Sequence, residues 1–159
     1  MFSGIGTDIL LIDRIRGCLD SPSFMRRTFT EAEIRSGETR PDKGNYYAKV
    51  FAGKEAVFKC LGITADAFGS WRDIEVLDSE ESQPLVNLGG SMAELATARG
   101  IERGLLSLSY DTDYAIAFAV LVGKDELGTD FMAALREKAR VLPQRIGGSP
   151  MRLLPWPSD

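Results

Sequence analysis

Four charged residues lie where the surrounding sequence is apolar. Glu55 and Lys59 are four apart in residues 45–62, NYYAKVFAGKEAVFKCLG, so a helix there puts them on one face. Lys54 stands beside Glu55 in an apolar run with Phe51, Ala52, Ala56, Val57, Phe58, Cys60 and Leu61. Asp8 is the only charge before Asp13 and has Ile5, Ile9, Leu10 and Leu11 around it. A buried carboxylate or ammonium must be met by an opposite charge, a metal or a ligand. Two plainer readings stand beside that one. Glu55 and Lys59 could form an ion pair on a half-exposed helix face, and Asp8 could cap a following helix.

The composition narrows the chemistry. The 159 residues contain no histidine, which removes His-based triads, His general bases and His metal ligands together. The two cysteines, Cys18 and Cys60, cannot build a structural zinc site without histidine, nor a disulfide framework. A metal here must be held by carboxylates, water and substrate phosphates, which selects magnesium or a similar hard cation. With 19 basic and 23 acidic residues the formal charge is -4, giving no global attraction to nucleic acid. No apolar run reaches the length of a membrane span. The first residues lack a basic leader and carry Asp8 inside the apolar stretch, unlike a signal peptide. Reduced cysteines and the absence of such signals predict a cytoplasmic protein.

The elements that must position these groups follow from local pattern. Residues 2–12 read as a strand running into a short helix with Arg14 and Arg16 facing out. Ser21, Pro22 and Ser23 mark a turn. Thr30 to Glu33 matches a capping box and starts another helix, and residues 36–44 read as a loop. The long helix then runs over 45–62 for about four to five turns, with Asn45 as its N-cap and Gly62 as its stop. After a loop over 63–70, residues 71–78 and 84–90 read as a hairpin, with Pro84 starting its second strand. A short helix ends at Gly100. LLSLSY and YAIAFAVLV read as two strands joined at DTD, the second a fully buried central strand. The order is α+β with a mainly antiparallel sheet packed on a long central helix. Residues 1–123 form one domain; 124–159 read as a helix over 129–142 and a proline-rich tail.

Taken together, five segments resemble the holo-acyl-carrier-protein synthases, the small 4′-phosphopantetheinyl transferases. GIGTDILLIDRI looks like the family's G-x-D opening, and FMRRTFTEAE like its F-x-x-R-x-[LF]-T-x-x-E segment. FAGKEAVFKCLG resembles its F-A-x-K-E-A-x-x-K-A-x-G helix; WRDIEV with Pro84, and LSLSYDTDYAIAFAV, resemble its later strands. The match runs over residues 4–122. It implies transfer of the 4′-phosphopantetheine arm of coenzyme A to a serine of an apo acyl carrier protein, with release of adenosine 3′,5′-bisphosphate.

By the same resemblance Asp8 and Glu55 are the magnesium carboxylates, and Asp8, Glu55 and Lys59 carry the catalysis. Lys54, Lys59, Ser107 and Tyr110 would bind coenzyme A, with Lys54 either touching phosphate or packing. The base is Glu55, directly or through a water, a hydroxide on the metal, or Asp111. Arg14 and Arg27 would engage the acidic carrier protein. The family's small members are trimers, so the resemblance implies a homotrimer with coenzyme A sites between subunits.

The sequence departs from the pattern at four places. Tyr110 replaces a histidine, and Val50 replaces an arginine for which Lys49 or Arg40 could substitute. Gly69 is the only glycine of the 63–70 loop, and the chain continues beyond residue 123 further than the small members need. Two other classes therefore remain open. One is a catalytically weakened scaffold that binds coenzyme A or a carrier protein. The other is an unrelated metal-dependent phosphate-transfer enzyme.

Overall fold

A computed structural model of the chain describes residues 2–64, 68–78 and 84–123. The chain divides into units after residue 126, and every described residue lies in the first. The helix and tail expected over 124–159 fall outside the described residues, as does the hairpin turn at 80–83.

The elements run β1 (Phe2–Leu11), α1 (Ile12–Arg16), α2 (Pro22–Thr28), α3 (Glu31–Glu38), α4 (Lys43–Leu61), β2 (Ile74–Asp78), β3 (Pro84–Leu88), α5 (Gly90–Ala98), β4 (Ile101–Tyr110) and β5 (Tyr114–Gly123). Among the described residues two antiparallel sheets form, β1-β5-β4 and β2-β3, so α+β holds and these strands divide between two sheets. The capping box forms as expected, Thr30 and Glu33 exchanging bonds across the first turn of α3. Gly62 ends α4 at φ 58°, the left-handed conformation that glycine adopts without steric cost.

Three local expectations are corrected. The segment read as a turn at Ser21–Ser23 is the start of α2: Ser21 caps it and Pro22, with no N–H to lose, occupies its first turn. Helix α4 begins two residues before Asn45, because the Asp42 side chain accepts from the Asn45 N–H and is itself the cap. Strand β5 is central in its sheet but not buried on both faces. Ala115, Ala117, Ala119 and Leu121 are buried, whereas Ile116 and Phe118 are 45% and 42% exposed.

Helix α4 is the spine of the core. Tyr47, Ala48, Val50, Ala52, Ala56, Val57, Cys60 and Leu61 are buried along it, against Phe29, Ile74, Val76 and the alanines of β5. Its approach to β1 rests on two glycines. A Cβ on Gly4 would overlap the Cys60 carbonyl oxygen, and one on Gly6 the Ala56 carbonyl oxygen. Because side chains alternate along a strand, Gly4, Gly6 and Asp8 share the face turned to α4. Helix and strand therefore run in opposite directions, and the two small residues bring Asp8 to the helix. Gly6→Ala is expected to destabilise the fold by about 1–3 kcal/mol, the range of core overpacking, and toward its upper end since backbone rather than a side chain must yield. Urea denaturation measures it.

The opposite face of the three-stranded sheet is apolar and open. Its rows are Ile9–Ile116–Ser109, Thr7–Phe118–Ser107 and Ile5–Val120–Leu105. Ile5 and Ile9 are 62% and 61% exposed, and Leu105 is 47%. An exposed apolar area of this kind marks an interaction surface.

Candidate functional site

Strand β1 and the C-terminal half of α4 bring together three charges from distant parts of the sequence. Asp8 sits mid-strand, paired with Ala117 of β5, so it caps no helix. Its carboxylate, 12% exposed, takes a hydrogen bond from Lys59 Nζ at 2.7 Å. The same ammonium donates to the Thr7 carbonyl at 3.1 Å. Lys59 reaches there because helical side chains lean toward the N-terminus of their helix.

Glu55, one turn back, is half-buried on the same helix. Burial pushes its carboxyl above the ordinary range, the Asp8 charge pushes it further, and Lys59 pulls it back. Glu55 and Lys59 share one face of α4, and Lys59 is bonded to Asp8, so the two carboxylates lie on either side of one ammonium. Lys59 hydrogen-bonds to Asp8 and not to Glu55, so the plain i,i+4 ion pair is not what forms. Among the described residues nothing donates a hydrogen bond to the Glu55 carboxyl. Two carboxylates without full partnership, beside one ammonium, form an all-oxygen donor pair that suits a hard divalent cation. Among the described residues no cluster of three or more His, Cys, Asp or Glu side chains occurs. A cation here would take its other ligands from water and phosphate, the usual magnesium arrangement.

Lys54 is elsewhere. It is 0% exposed and its three donors go to Glu33 Oε2 at 2.8 Å, the Trp71 carbonyl at 2.9 Å and the Ile74 carbonyl at 2.7 Å. A role in binding coenzyme A is corrected to the packing alternative: an ammonium so enclosed has no donor left for a phosphate. Sequence reasoning missed its partner Glu33, which was read only as part of a capping box.

Tyr110 and Ser107 are not in the Asp8 cluster either. Ser107 is exposed on the open face of β4, in register with Phe118. Tyr110 is 52% exposed and lines a cavity of about 250 Å³ with Arg40, Asn45, Tyr46 and Lys49. Of these, Asn45, Tyr46 and Lys49 lie on α4 six to ten positions before Glu55, roughly 9–15 Å along the helix. Val50 is 2% exposed in the core, so the missing arginine has no room for a long charged replacement at that position. Lys49 and Arg40 instead stand at the Tyr110 cavity, each paired with Asp78. Within one chain there are thus two clusters, the carboxylates and the Tyr110 cavity.

Asp111 has a local task. Its carboxylate accepts from the Tyr114 and Asp113 N–H groups in the β4–β5 turn, which hold it below the ordinary carboxylate range. A carboxylate so stabilised is a poor base. Arg14 on α1 and Arg27 on α2 are both exposed; Arg27 Nε donates to the Ser23 carbonyl at 3.3 Å. Arg14 has no ion-pair partner among the described residues, whereas Arg16 is tied to Asp13 and Asp42.

The family model of the 4′-phosphopantetheinyl transferase superfamily matches residues 4–119. A holo-acyl-carrier-protein synthase of Desulforudis audaxviator is 41% identical over 128 residues, covering 79% of this chain and 97% of that protein. Among solved structures, the Neisseria meningitidis holo-acyl-carrier-protein synthase superposes with a TM-score of 0.69 at 32% identity, over 77% of this chain and 99% of that one. The Helicobacter pylori synthase, solved in complex with coenzyme A, gives 0.65 at 31%, over 74% and 99%.

Proposed function

The chain belongs to the 4′-phosphopantetheinyl transferase superfamily as a holo-acyl-carrier-protein synthase, and from that premise we propose how its own residues perform the transfer. The substrate is coenzyme A, the acceptor an apo acyl carrier protein, and the cation magnesium. The observation that carries the reading is the meeting of Asp8, Glu55 and Lys59 from β1 and α4.

Asp8 and Glu55 would hold the cation, which supplies charge neutralisation at the pyrophosphate. Lys59, half-exposed beside them, is placed to bind a phosphate oxygen. The serine oxygen of the carrier forms a bond to the phosphorus that bears pantetheine. The pyrophosphate bond breaks on its other side, and adenosine 3′,5′-bisphosphate leaves with the electron pair. The serine proton goes to Glu55, directly or through a water. The chain contains no histidine, so a carboxylate beside the cation is the acceptor this reading assigns.

The separation of the Tyr110 cavity from the carboxylates supports a site shared between subunits. In a homotrimer the open apolar face of β1-β5-β4 would be covered by neighbouring copies. Ser107, Tyr110, Lys49 and Arg40 of one copy would complete the nucleotide pocket of the next. Arg14 and Arg27 give an acidic chain a local positive surface for an acidic carrier. Arg14→Glu with Arg27→Glu is expected to raise the KM for the carrier by about tenfold or more, with the KM for coenzyme A unchanged, because reversed charges act on encounter and not on the pocket. Steady-state kinetics with each substrate varied in turn separates the two.

The reading is tested by calorimetry of coenzyme A binding with magnesium and with EDTA. Magnesium-dependent binding is expected; binding indifferent to EDTA would remove the Asp8–Glu55 assignment. The change of histidine to Tyr110 favours a second reading, a weakened scaffold. Magnesium-dependent coenzyme A binding without modification of any carrier would establish that reading instead.

A further inference from the structure

The buried Glu33–Lys54 pair has no part in the transfer chemistry, yet Lys54 is the immediate neighbour of Glu55. Both side chains are 0% exposed. Glu33 Oε1 accepts from the Val76 N–H at 2.7 Å, and Oε2 from the Thr30 N–H at 2.7 Å and from Lys54. The Thr30 hydroxyl donates to Glu75 at 2.7 Å, and Glu75 accepts from Asn87 on β3 at 3.0 Å. One connected polar network therefore joins the start of α3, the middle of α4, the Trp71–Asp73 turn and both strands of the small sheet.

Burial lowers the Lys54 ammonium and raises the Glu33 carboxyl, and each partner counteracts the other's shift. An apolar pair would fill this space without that desolvation cost. What an apolar pair lacks is direction. Adjacent residues on a helix point about 100° apart, so anchoring Lys54 toward β2 turns Glu55 toward another side. On the β1 side, Gly4 at Cys60 and Gly6 at Ala56 set how closely the strand approaches. Three hydrogen bonds from Lys54 add a directional anchor on the opposite side.

We propose that Glu33 and Lys54 are positioning residues for the transfer: by tying α4 to the Trp71 and Ile74 carbonyls they fix the rotation of the helix, and so the face on which Glu55 meets Asp8. This inference rests on Asp8 and Glu55 holding the cation.

The test compares wild type with the double variant Glu33→Gln/Lys54→Met, in which no lone buried charge remains. The single variant Lys54→Met, which leaves Glu33 accepting from the Val76 and Thr30 N–H groups and free to take a proton, serves if the double variant unfolds. Circular dichroism and thermal unfolding establish that the variant is folded. Manganese binding in the presence of coenzyme A is followed by electron paramagnetic resonance, and kcat and both KM values are measured. A folded variant is expected to bind manganese about tenfold more weakly and to lose at least tenfold in kcat. The carrier KM should stay within twofold, since Arg14 and Arg27 lie on other helices. A folded variant with wild-type manganese affinity and kcat overturns the positioning role alone. A wild-type protein that binds no manganese with coenzyme A overturns the metal-site reading on which it rests.

Discussion

Glu55→Gln is expected to cut phosphopantetheine transfer by on the order of a thousandfold or more while leaving the protein folded. The substitution keeps size and removes both a cation ligand and the proposed base. Its effect on stability has a definite sign. Burial and Asp8 raise the folded-state carboxyl above its ordinary 4.5, so the folded state holds the proton more tightly than the unfolded chain. Stability from this group therefore falls as pH rises from the unfolded to the folded value, and the penalty is complete above the folded value. Glutamine carries no such penalty. The variant should match or exceed wild type in denaturant midpoint near neutral pH, and its advantage should vanish at about pH 4 and below. Asp8→Ala should abolish transfer likewise, with little loss of stability, because the Lys59 it leaves is 48% exposed and can be solvated. Normal transfer in either variant would remove the metal-site assignment.

Phe118→Glu carries the second large expectation. Phe118 lies at the centre of the open face of β5, between Thr7 and Ser107. In a single subunit its ring is 42% exposed, so glutamate is solvated there and the fold should persist. In a trimer the same carboxylate would be buried against apolar neighbours without a partner, which costs far more than the lost contact. The protein is therefore expected to run as a monomer on light scattering. On the proposed trimer, in which the Tyr110 cavity of one copy completes the site of another, transfer should fall by on the order of a hundredfold. A trimeric, fully active variant would show that this face is not the interface.

Charges inside apolar runs must find partners, which made the Asp8–Lys59 contact legible, while the roles proposed for these residues came from the family resemblance. The capping box at Thr30 and the αL glycine at position 62 were legible because both are local devices. What the sequence hid is tertiary. Lys54 and Glu55 are adjacent charged residues in one apolar run, but Lys54 is enclosed by Glu33 and two carbonyls while Glu55 is only half-buried. No local pattern distinguishes them; the rotation of α4 does. The alternation of small and large residues in YAIAFAVLV was read as a continuous apolar strand, since both of its faces are apolar and only one is covered within the chain. Helix α2 was lost because Pro22 was taken as a turn former when it sits in the first helical turn, where proline is tolerated.

The most direct test is mass spectrometry of an apo acyl carrier protein incubated with this protein, coenzyme A and magnesium, beside a control with EDTA. The Asp8–Glu55–Lys59 site predicts a gain of one phosphopantetheine arm per carrier, present with magnesium and absent with EDTA. An unchanged carrier mass with magnesium, across several carriers, would contradict it.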